Sequence, residues 1–501
     1  MKVQLINSGN DNISIGNANS ASYPPLGIIS IASTIEKHFT NSIELNLIDG
    51  QIESLDNTIE KIRIFKPDIL CISMYCTSIK YTMKCAEVGK EVQATVILGN
   101  DHAKTHYDTI LLNSKNVDYI SLDEFGERSM YYFIENKLNK QSCKEIPLTA
   151  YIKENGSIEK VKPPTGTNDE IWMNPLDYFP LPNRLLLDKK YWEAYLINFK
   201  KSYKSRILDL NMASGITTLN RFRGCFRHKH RCLYCSIGEL RPCRSNKSYW
   251  DDIKAAQKQV NANMFYECCD NMLTFKADLK RLVATQPQSQ NSFFLFYATT
   301  KGLDSEACSL FKELGTYCLN FGFDSGSDRA LKLMKGKDCS VEMNKNAAEL
   351  VTKSNMELHV SFILSGLGNK QESKKSFDDT YKLAKWLVNN TNTTTIECAL
   401  LYPDRGAPLG SLIWNPSQYN KLQATGYDLS FINMEQILIM HDKYSKEIFI
   451  DPEKLVADFS VACGADINHM FEYQAKIRET CAENNIRFGT SRFGKNINGE
   501  V

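Results

Sequence analysis

No apolar run in the 501-residue sequence approaches the roughly 18 residues that a membrane-spanning helix needs. The start, Met1–Asn10, lacks the long apolar core of a secretory signal and is expected to form a first strand. Net charge is almost absent. Sixty Lys and Arg balance 58 Asp and Glu, which excludes a globally polycationic nucleic-acid coat. There is no internal repeat, and no low-complexity tract beyond the polar Asn389–Thr395. Hydrophobic residues make up 43% and charged residues 24%, so the chain is neither disordered nor collagen-like. At roughly 150 residues per domain, two to four soluble domains are expected.

What the sequence does have is cysteine, 16 in all. A large chain without an export signal points to a reducing, cytoplasmic location with mostly free thiols. A few are expected to bind metal or do chemistry, and the rest to pack as small hydrophobes.

Residues 1–140 alternate between short apolar runs and helical spacing. Strands are expected at Val3–Ile6, Ile43–Ile48, Ile69–Met74, Ala94–Leu98 and Val117–Leu122. This pattern predicts a doubly wound, Rossmann-like parallel sheet. Ligands of such sheets sit beyond the carboxyl ends of the strands. Asn7–Pro25, Tyr75–Ser78, Gly99–Ala103 and Asp123–Glu127 are therefore the segments of interest. Residues 141–210 are less regular and are expected to form a linker or strap. Residues 211–410 return to strand–helix alternation, with strands at Ile216–Arg221, Met264–Glu267, Ser292–Tyr297, Tyr317–Phe323, Glu357–Leu364 and Thr395–Leu401. Six such units predict a partial (β/α)6 barrel. Residues 411–501 are expected to form a mostly helical cap, in which Tyr444, Phe449 and Phe488 are core or cavity residues.

Directly after the first barrel strand, positions 225–235 read Cys-Phe-Arg-His-Lys-His-Arg-Cys-Leu-Tyr-Cys. Three thiolates on one loop suit a soft metal site. With three protein ligands, a four-iron cluster keeps one iron open. A zinc site would need a fourth donor, and His228, His230 and Cys243 are all near in sequence. On spacing alone an iron–sulfur cluster, structural zinc and unliganded thiols all remain open.

Arg223-Gly224-Cys225, followed by Cys232-Leu233-Tyr234-Cys235, resembles the radical S-adenosylmethionine (SAM) superfamily. Its three-cysteine loop follows the first strand of a partial barrel, with an aromatic before the last cysteine. The first gap here is six residues instead of the usual three, so His228 stands where the first cysteine would fall. Further resemblance runs through Asp270-Asn271, Gly322–Asp328 ahead of Met334-Lys335-Gly336, Ser361–Gly368 and Tyr402–Leu409. It implies a 4Fe-4S cluster on Cys225, Cys232 and Cys235. It also implies SAM contacts at Tyr234, Asp270, Asp324, Ser325, Gly326, Ser327 and Ser365. The bland alternative for Asp324 is a helix cap, but the flanking glycines and serines favour the SAM contact.

The N-terminal half resembles the cobalamin-binding domain that precedes the barrel in one large subfamily, through Tyr23–Gly27, Leu47-Ile48-Asp49, Lys66–Leu70 and Leu98–Ala103. That implies cobalamin contacts at Tyr75, Thr77 and Ser78, at Gly99, Asn100, Asp101 and His102, and at Asp123 and Glu124. An asparagine, Asn100, stands where the family usually has a second glycine. There is no Asp-x-His-x-x-Gly, so no cobalt-ligating histidine is expected.

The resemblance, which covers about residues 1–410, implies a cobalamin-dependent radical SAM methyltransferase. It would methylate an unactivated carbon through a 5′-deoxyadenosyl radical and methylcobalamin. The alternatives are a non-methylating rearrangement, cyclisation or ring contraction with the same cofactors, or a zinc-stabilised non-catalytic binding protein. A flavodoxin or ferredoxin is the expected reductant, and a small molecule or peptide the expected substrate. The basic run Arg221–Arg231, preceded by Lys200, Lys201, Lys204 and Arg206, is either a solvated rim or a patch for a phosphorylated or nucleotide substrate or an acidic electron donor. Nucleic acid is not favoured, because no aromatics interleave with the basic residues. Cys71 and Cys85 are expected to be core thiols and Cys76 a loop thiol; Cys268 and Cys269 are expected to pack at a strand end, with Cys269 alternatively facing the substrate cavity.

Overall fold

The computed structural model describes residues 1–11, 23–142, 146–165, 169–227, 230–240, 243–287 and 291–489. It divides into two compact units. The first comprises Met1–Ile13, Tyr23–Tyr195 and Pro242–Ala262; the second comprises Ser14–Ser22, Leu196–Arg241 and Asn263–Val501.

The first unit holds β1 (Lys2–Asn7), β2 (Glu44–Asp49), β3 (Ile69–Ser73), β4 (Thr95–Gly99), β5 (Tyr119–Ser121), β6 (Thr149–Ile152) and β7 (Ile158–Lys160). Their order is β2-β1-β3-β4-β5-β6-β7. The first five are parallel, and β6 and β7 are antiparallel. All five parallel strands fall where the apolar runs predict them. β6 and β7 arise in the irregular stretch after residue 140, where strands of four and three residues carry too little periodicity to read. β1 pairs with β2 on one side and β3 on the other. Connections leaving in opposite directions open a crevice at the strand ends between β1 and β3. Val3, Leu5, Ile29, Ala32, Ile35, Phe133 and Ile134 are buried together in the core beneath it. Each apolar side chain so buried contributes roughly 1.5–3 kcal/mol.

The helix Leu55–Phe65 is set at both ends by the sequence. The Ser54 side chain accepts a hydrogen bond from the Asn57 N–H, and the chain leaves through left-handed Lys66 just before Pro67. Ahead of it, Glu53 meets Lys61 at 2.5 Å, and also pairs with Lys190 and Tyr191. Burial opposes ionisation of Glu53, but Lys190, Lys61 and Tyr191 outweigh it and hold the carboxyl down at about 2. Its contribution to stability is therefore complete above about pH 4.5 and lost as pH falls through about 2. Glu53→Gln is expected to lower stability at neutral pH and to flatten the acid limb of a pH–stability curve. Equal acid sensitivity of variant and parent would refute this.

The second unit holds β8 (Ile216–Leu219), β9 (Met264–Glu267), β10 (Phe293–Tyr297), β11 (Thr316–Asp324), β12 (Glu357–Leu364), β13 (Thr393–Leu400) and β14 (Arg487–Gly489). They pair in sequential order, all parallel. This is the expected partial barrel, with a short seventh strand supplied from the C-terminal region. That region is otherwise helical, as expected. Leu412, Ile437, Met440, Leu455 and Phe459 form its core together with Tyr444. Phe449 is exposed, and Phe488 pairs with Ile396 in β14. Among the described residues no helix is long and apolar enough to cross a membrane.

Candidate active site

In the second unit the loop after β8 carries the three cysteines. Its start is anchored by Arg221, which is buried. The Arg221 N–H donates to Glu267 Oε1 at 2.9 Å, and its guanidinium meets Asp278 at 2.8 Å. Gly224 adopts φ +87°, which favours glycine. A Cβ there would lie 1.9 Å from the Glu239 carbonyl oxygen. That closeness lets the Cys225 N–H donate to Gly238 O at 3.1 Å, tying the two ends of the loop together. Gly224→Ala is expected to spring the loop and to lower reconstituted iron content severely. Parent-like iron content would show that the loop tolerates the displacement. Leu233 is fully buried; its N–H donates to Met334 O and its carbonyl accepts from the Leu409 N–H, both at 2.9 Å. The loop is thus held between β11's following helix and the start of the cap.

The three thiols lie in one neighbourhood. Burial, with added repulsion from Cys232 and Cys225, pushes the Cys235 thiol up to about 12. Burial also raises Cys225 and Cys232, opposed at both by the positive charges of Arg227 and Lys335. Asp270 stands close enough to affect Cys225 and Cys235. Among the described residues no three His, Cys, Asp or Glu side chains converge tightly enough to hold a single metal ion. Thiolates around one zinc at roughly 2.3 Å would have to converge in this way, whereas a four-iron cluster spreads its ligands over a larger body. Three thiols held together on one loop are a donor set that a four-iron cluster can take. His228 and Lys229 lie outside the described residues, and Cys243 belongs to the first unit.

Beside the cysteines stands a charged node. The Tyr234 hydroxyl donates to Asp324 Oδ2 at 2.8 Å, and Lys335 Nζ reaches the same oxygen at 2.6 Å. Lys335 also donates to Gly322 O at 2.7 Å. Asp324 adopts φ +57° at a β-bulge between β11 and β12, a conformation Asp tolerates better than most residues. Burial works against the charge on Lys335, but Asp324, Cys232 and Cys339 outweigh it, so the ammonium is held charged. Arg227 packs alongside, bonding Lys335 O and reaching Cys339 Sγ at 3.8 Å.

The neighbouring predicted residues have structural work. Ser325 lies 3.2 Å from the Thr380 hydroxyl, which also accepts the Gly326 N–H at 3.0 Å. A Cβ on Gly326 would meet Asp379 O at 2.3 Å, so this glycine lets the helix Lys370–Asn390 approach. Ser327, not Asp324, caps the helix Asp328–Lys335. Ser365 is buried just beyond β12. Sequence reading thus places Tyr234, Asp270 and Asp324 beside the thiols. It misses Lys335 and Arg227, although both stand inside the quoted motifs; a lysine at the end of the helix that follows an acidic strand end is the available signal.

One face of the half-barrel is polar. Register aligns Asn320 with His359 and Gly322 with Ser361, which in turn aligns with Glu397. Tyr266 and Tyr297 share this face, their hydroxyls 2.7 Å apart. Phe296, on the opposite face, packs on Phe311 of the helix Ser305–Leu314. The polar face is therefore the inner one. On it, buried His359 Nε2 stands 3.4 Å from Glu397 Oε1. Neither ring nitrogen of His359 has a hydrogen-bond partner among the described residues. These are polar groups awaiting a partner.

In the first unit the predicted crevice is lined by polar groups. Tyr75 donates its hydroxyl to Asn7 Oδ1 at 2.9 Å, and Asn7 donates to Asp49 at 2.8 Å. Tyr195 also bonds Asp49. Burial raises the Asp49 carboxyl, opposed by Tyr195 and Asn7. Ser78 Oγ accepts the Tyr75 N–H, and Thr77 donates to Asn10, both at 2.9 Å. Asn100 adopts φ +77° and donates to Ser73 at 3.2 Å. It thus takes the left-handed conformation, which asparagine tolerates better than most residues. A Cβ on Gly99 would meet nothing within 4 Å, so the strand end faces open space that suits a bound ligand. Asp101 lies in the first turn of the short helix Asn100–Thr105, and His102 stacks on His106 at 4.1 Å. Asp123 is turned away: Arg128 holds both its oxygens at 2.6 Å, and Arg128 in turn lies on the Trp172 ring. Glu124 lies 3.6 Å from Lys104. Cys71 packs on the Met130 sulfur and Cys85 is buried, so both act as core thiols. Residues 12–22, within the segment Asn7–Pro25, lie outside the described residues.

No family model matches the chain. Among curated proteins it is 22% identical, over 408 residues, to cytidylyl-2-hydroxyethylphosphonate methyltransferase from Streptomyces wedmorensis, covering 72% of this chain and 73% of that protein. It is also 22% identical, over 393 residues, to the anaerobic magnesium-protoporphyrin IX monomethyl ester cyclase of Rubrivivax gelatinosus, covering 73% of this chain and 62% of the cyclase. Among solved structures it is similar to OxsB, a cobalamin-dependent S-adenosylmethionine radical enzyme with aqua-cobalamin bound. There the TM-score is 0.56 at 18% identity, over 77% of this chain. The fold is that of the cobalamin-dependent radical SAM enzymes. The radical SAM methyltransferase TsrM from Kitasatospora setae, with cobalamin and a 4Fe-4S cluster bound, matches with a TM-score of 0.61 at 14% identity, over 83% of this chain and 75% of TsrM. The chain spans about half the length of OxsB, 52%. Within this radical SAM fold, the cysteine loop and Asp324 occupy carboxyl ends of half-barrel strands, and the Asn7–Tyr75–Asn100 crevice occupies those of the preceding sheet.

Proposed function

We propose that the protein is a cobalamin-dependent radical SAM methyltransferase acting on an unactivated carbon. The observation that carries this reading is the group at the end of β8 and β11: three thiols on one loop beside the Tyr234–Asp324–Lys335 node. Cys225, Cys232 and Cys235 would hold the cluster, and the crevice of Tyr75, Ser78, Gly99 and Asn100 would hold the corrinoid. When bound, these groups and SAM supply a 5′-deoxyadenosyl radical and a transferable methyl group.

The chain's own residues bind and orient. Tyr234 and Lys335 both contact Oδ2 of Asp324, so Oδ1 can accept from a hydroxyl or amino group of SAM. Lys335 and Arg227 place positive charge beside the thiols, which favours their thiolate forms as ligands. The inner face of the half-barrel, with Tyr266, Tyr297, Asn320, Ser361 and the His359–Glu397 pair, suits a substrate rich in hydrogen-bonding groups.

The similarity to a cyclase favours a second reading, in which the same cofactors serve a ring closure or rearrangement without methyl transfer. One experiment separates the two. Anaerobically reconstituted protein is given reductant, methyl-labelled SAM and a small-molecule extract of the producing cells. Labelled product together with 5′-deoxyadenosine supports methyl transfer. Deoxyadenosine formation without label in the product supports the second reading. Protein that binds zinc but neither iron nor sulfide would sink both.

A further inference from the structure

We propose that a basic groove behind the cysteine loop is the docking surface for an acidic, low-potential electron-transfer protein of the flavin or iron–sulfur class. The inference rests on the radical-enzyme reading and adds to it the place where the electron enters. The groove is a cavity of 920 Å³ in the second unit. Its walls come from the cysteine loop (Arg227, Arg231), from the end of the helix Asp328–Lys335 with the turn beyond it (Lys332, Lys337), and from the segment around Tyr427.

Its charge is local. Six Arg or Lys line it against three Asp or Glu, in a chain whose basic and acidic residues nearly cancel. Some of these cations already have partners: Arg329 pairs with Glu372 and Lys335 with Asp324. Lys332 and Lys337 have no carboxylate within 4.0 Å among the described residues, and Arg231 reaches only Gly406 O, at 3.4 Å. These cations are available to a partner.

The groove is continuous with the loop that would hold the cluster. The Arg227 N–H donates to Cys225 Sγ at 3.4 Å, Arg231 directly precedes Cys232, and the Arg231 carbonyl accepts from the Tyr427 hydroxyl at 2.9 Å. A protein seated here touches Arg227 and Arg231, the described loop residues next to Cys225 and Cys232. The transfer moves one electron and no atom: the donor is oxidised by one electron and the group on the three cysteines is reduced by one.

A phosphate-bearing small molecule fits the same charge sign but not the construction. Phosphate cradles use the N–H groups of a helix N-terminus. Here the helix Asp328–Lys335 presents its C-terminal end, whose Lys335 carbonyl is taken by Arg227. The N-terminus of the helix Lys370–Asn390 also lines the groove, but it is already capped: the Glu372 N–H donates to Asn369 Oδ1 at 2.9 Å, and the Glu372 carboxylate, which accepts from Asn369 at 3.0 Å, puts negative charge where an anion would sit. The cations stand on long stems from separate segments and alternate with Asp338, Glu372 and Asp428. That pattern steers and registers a broad acidic face.

The test uses the reconstituted full chain, its double variant Lys332→Glu/Lys337→Glu, and a purified flavodoxin. Binding is measured directly by titration calorimetry at low and high salt. Parent affinity is expected to fall with salt, and the variant to bind at least about tenfold more weakly at low salt. Flavodoxin-driven SAM cleavage should fall with it, whereas dithionite-driven cleavage should be unchanged. A variant that binds flavodoxin as the parent does overturns the proposal. So does displacement of flavodoxin by micromolar inorganic pyrophosphate, which would make the groove a small-anion site. Absence of dithionite-driven cleavage in the parent sinks the radical-enzyme reading instead, and the binding arm then decides the docking surface by itself.

Discussion

Cys232→Ala and Cys235→Ala are each expected to abolish the broad brown absorbance of the anaerobically reconstituted protein, and with it all SAM cleavage. Each thiol is one of three ligands on a loop whose backbone is fixed at Gly224, Leu233 and Leu409, so the remaining two stay where they are when one is removed. Cys268→Ala, at an exposed thiol outside the loop, is the matching control and should keep its colour. Cys225→Ala tests the six-residue gap. Colour retained there would move the first ligand to His228 or Cys243. Full iron and sulfide in Cys232→Ala would refute the ligand assignment altogether.

Asp324→Ala is the second large effect. It leaves the Lys335 ammonium buried without its counter-charge; the two side chains are only 16% and 8% exposed. Breaking such a pair from one side costs about 3–5 kcal/mol. It also replaces a residue type that tolerates φ +57° with one that does not. Asp324→Asn keeps the backbone preference and an acceptor for Tyr234, so its cost is expected to be smaller. Adding Lys335→Met to Asp324→Asn should recover much of the loss, because no charge is then buried alone. Denaturant unfolding of the cofactor-free protein reads these differences. A cost for Asp324→Ala within about 0.5 kcal/mol of zero would mean the pair is solvated and the node is not closed.

Much of this was legible because buried parallel strands write themselves plainly. Ile69–Ser73 is a nearly continuous apolar run, Glu357–Leu364 alternates polar with apolar residues, and each appears within a residue or two of its expected limits. Residues such as Tyr234 and Asp324 were legible through motif order. The hairpin β6–β7 and strand β14 were not, since strands of three or four residues take their stability from an existing edge. The roles of Ser325, Gly326 and Asp123 were also hidden. Their partners, Thr380, Asp379 and Arg128, are set by tertiary packing that no local pattern encodes. The same holds for the basic groove. Its loop arginines stand out in sequence, but Lys332 and Lys337 join them only across the fold.

The sequential strand order of the half-barrel bears on how the protein is made. Strands β8 to β13 each pair with the one just synthesised, so the sheet can grow at a single advancing edge during translation. The edge it leaves is β13, eight residues long and buried throughout in the finished fold. β14, arriving some ninety residues later, covers it at Thr395–Glu397, and the Gln474 side chain caps the Cys398 carbonyl at 2.7 Å. Until Arg487–Gly489 emerge from the ribosome, the nascent chain carries an open, apolar strand edge of the kind that pairs with other chains. The arrival of β14 is thus a step that narrows the exposure of that edge.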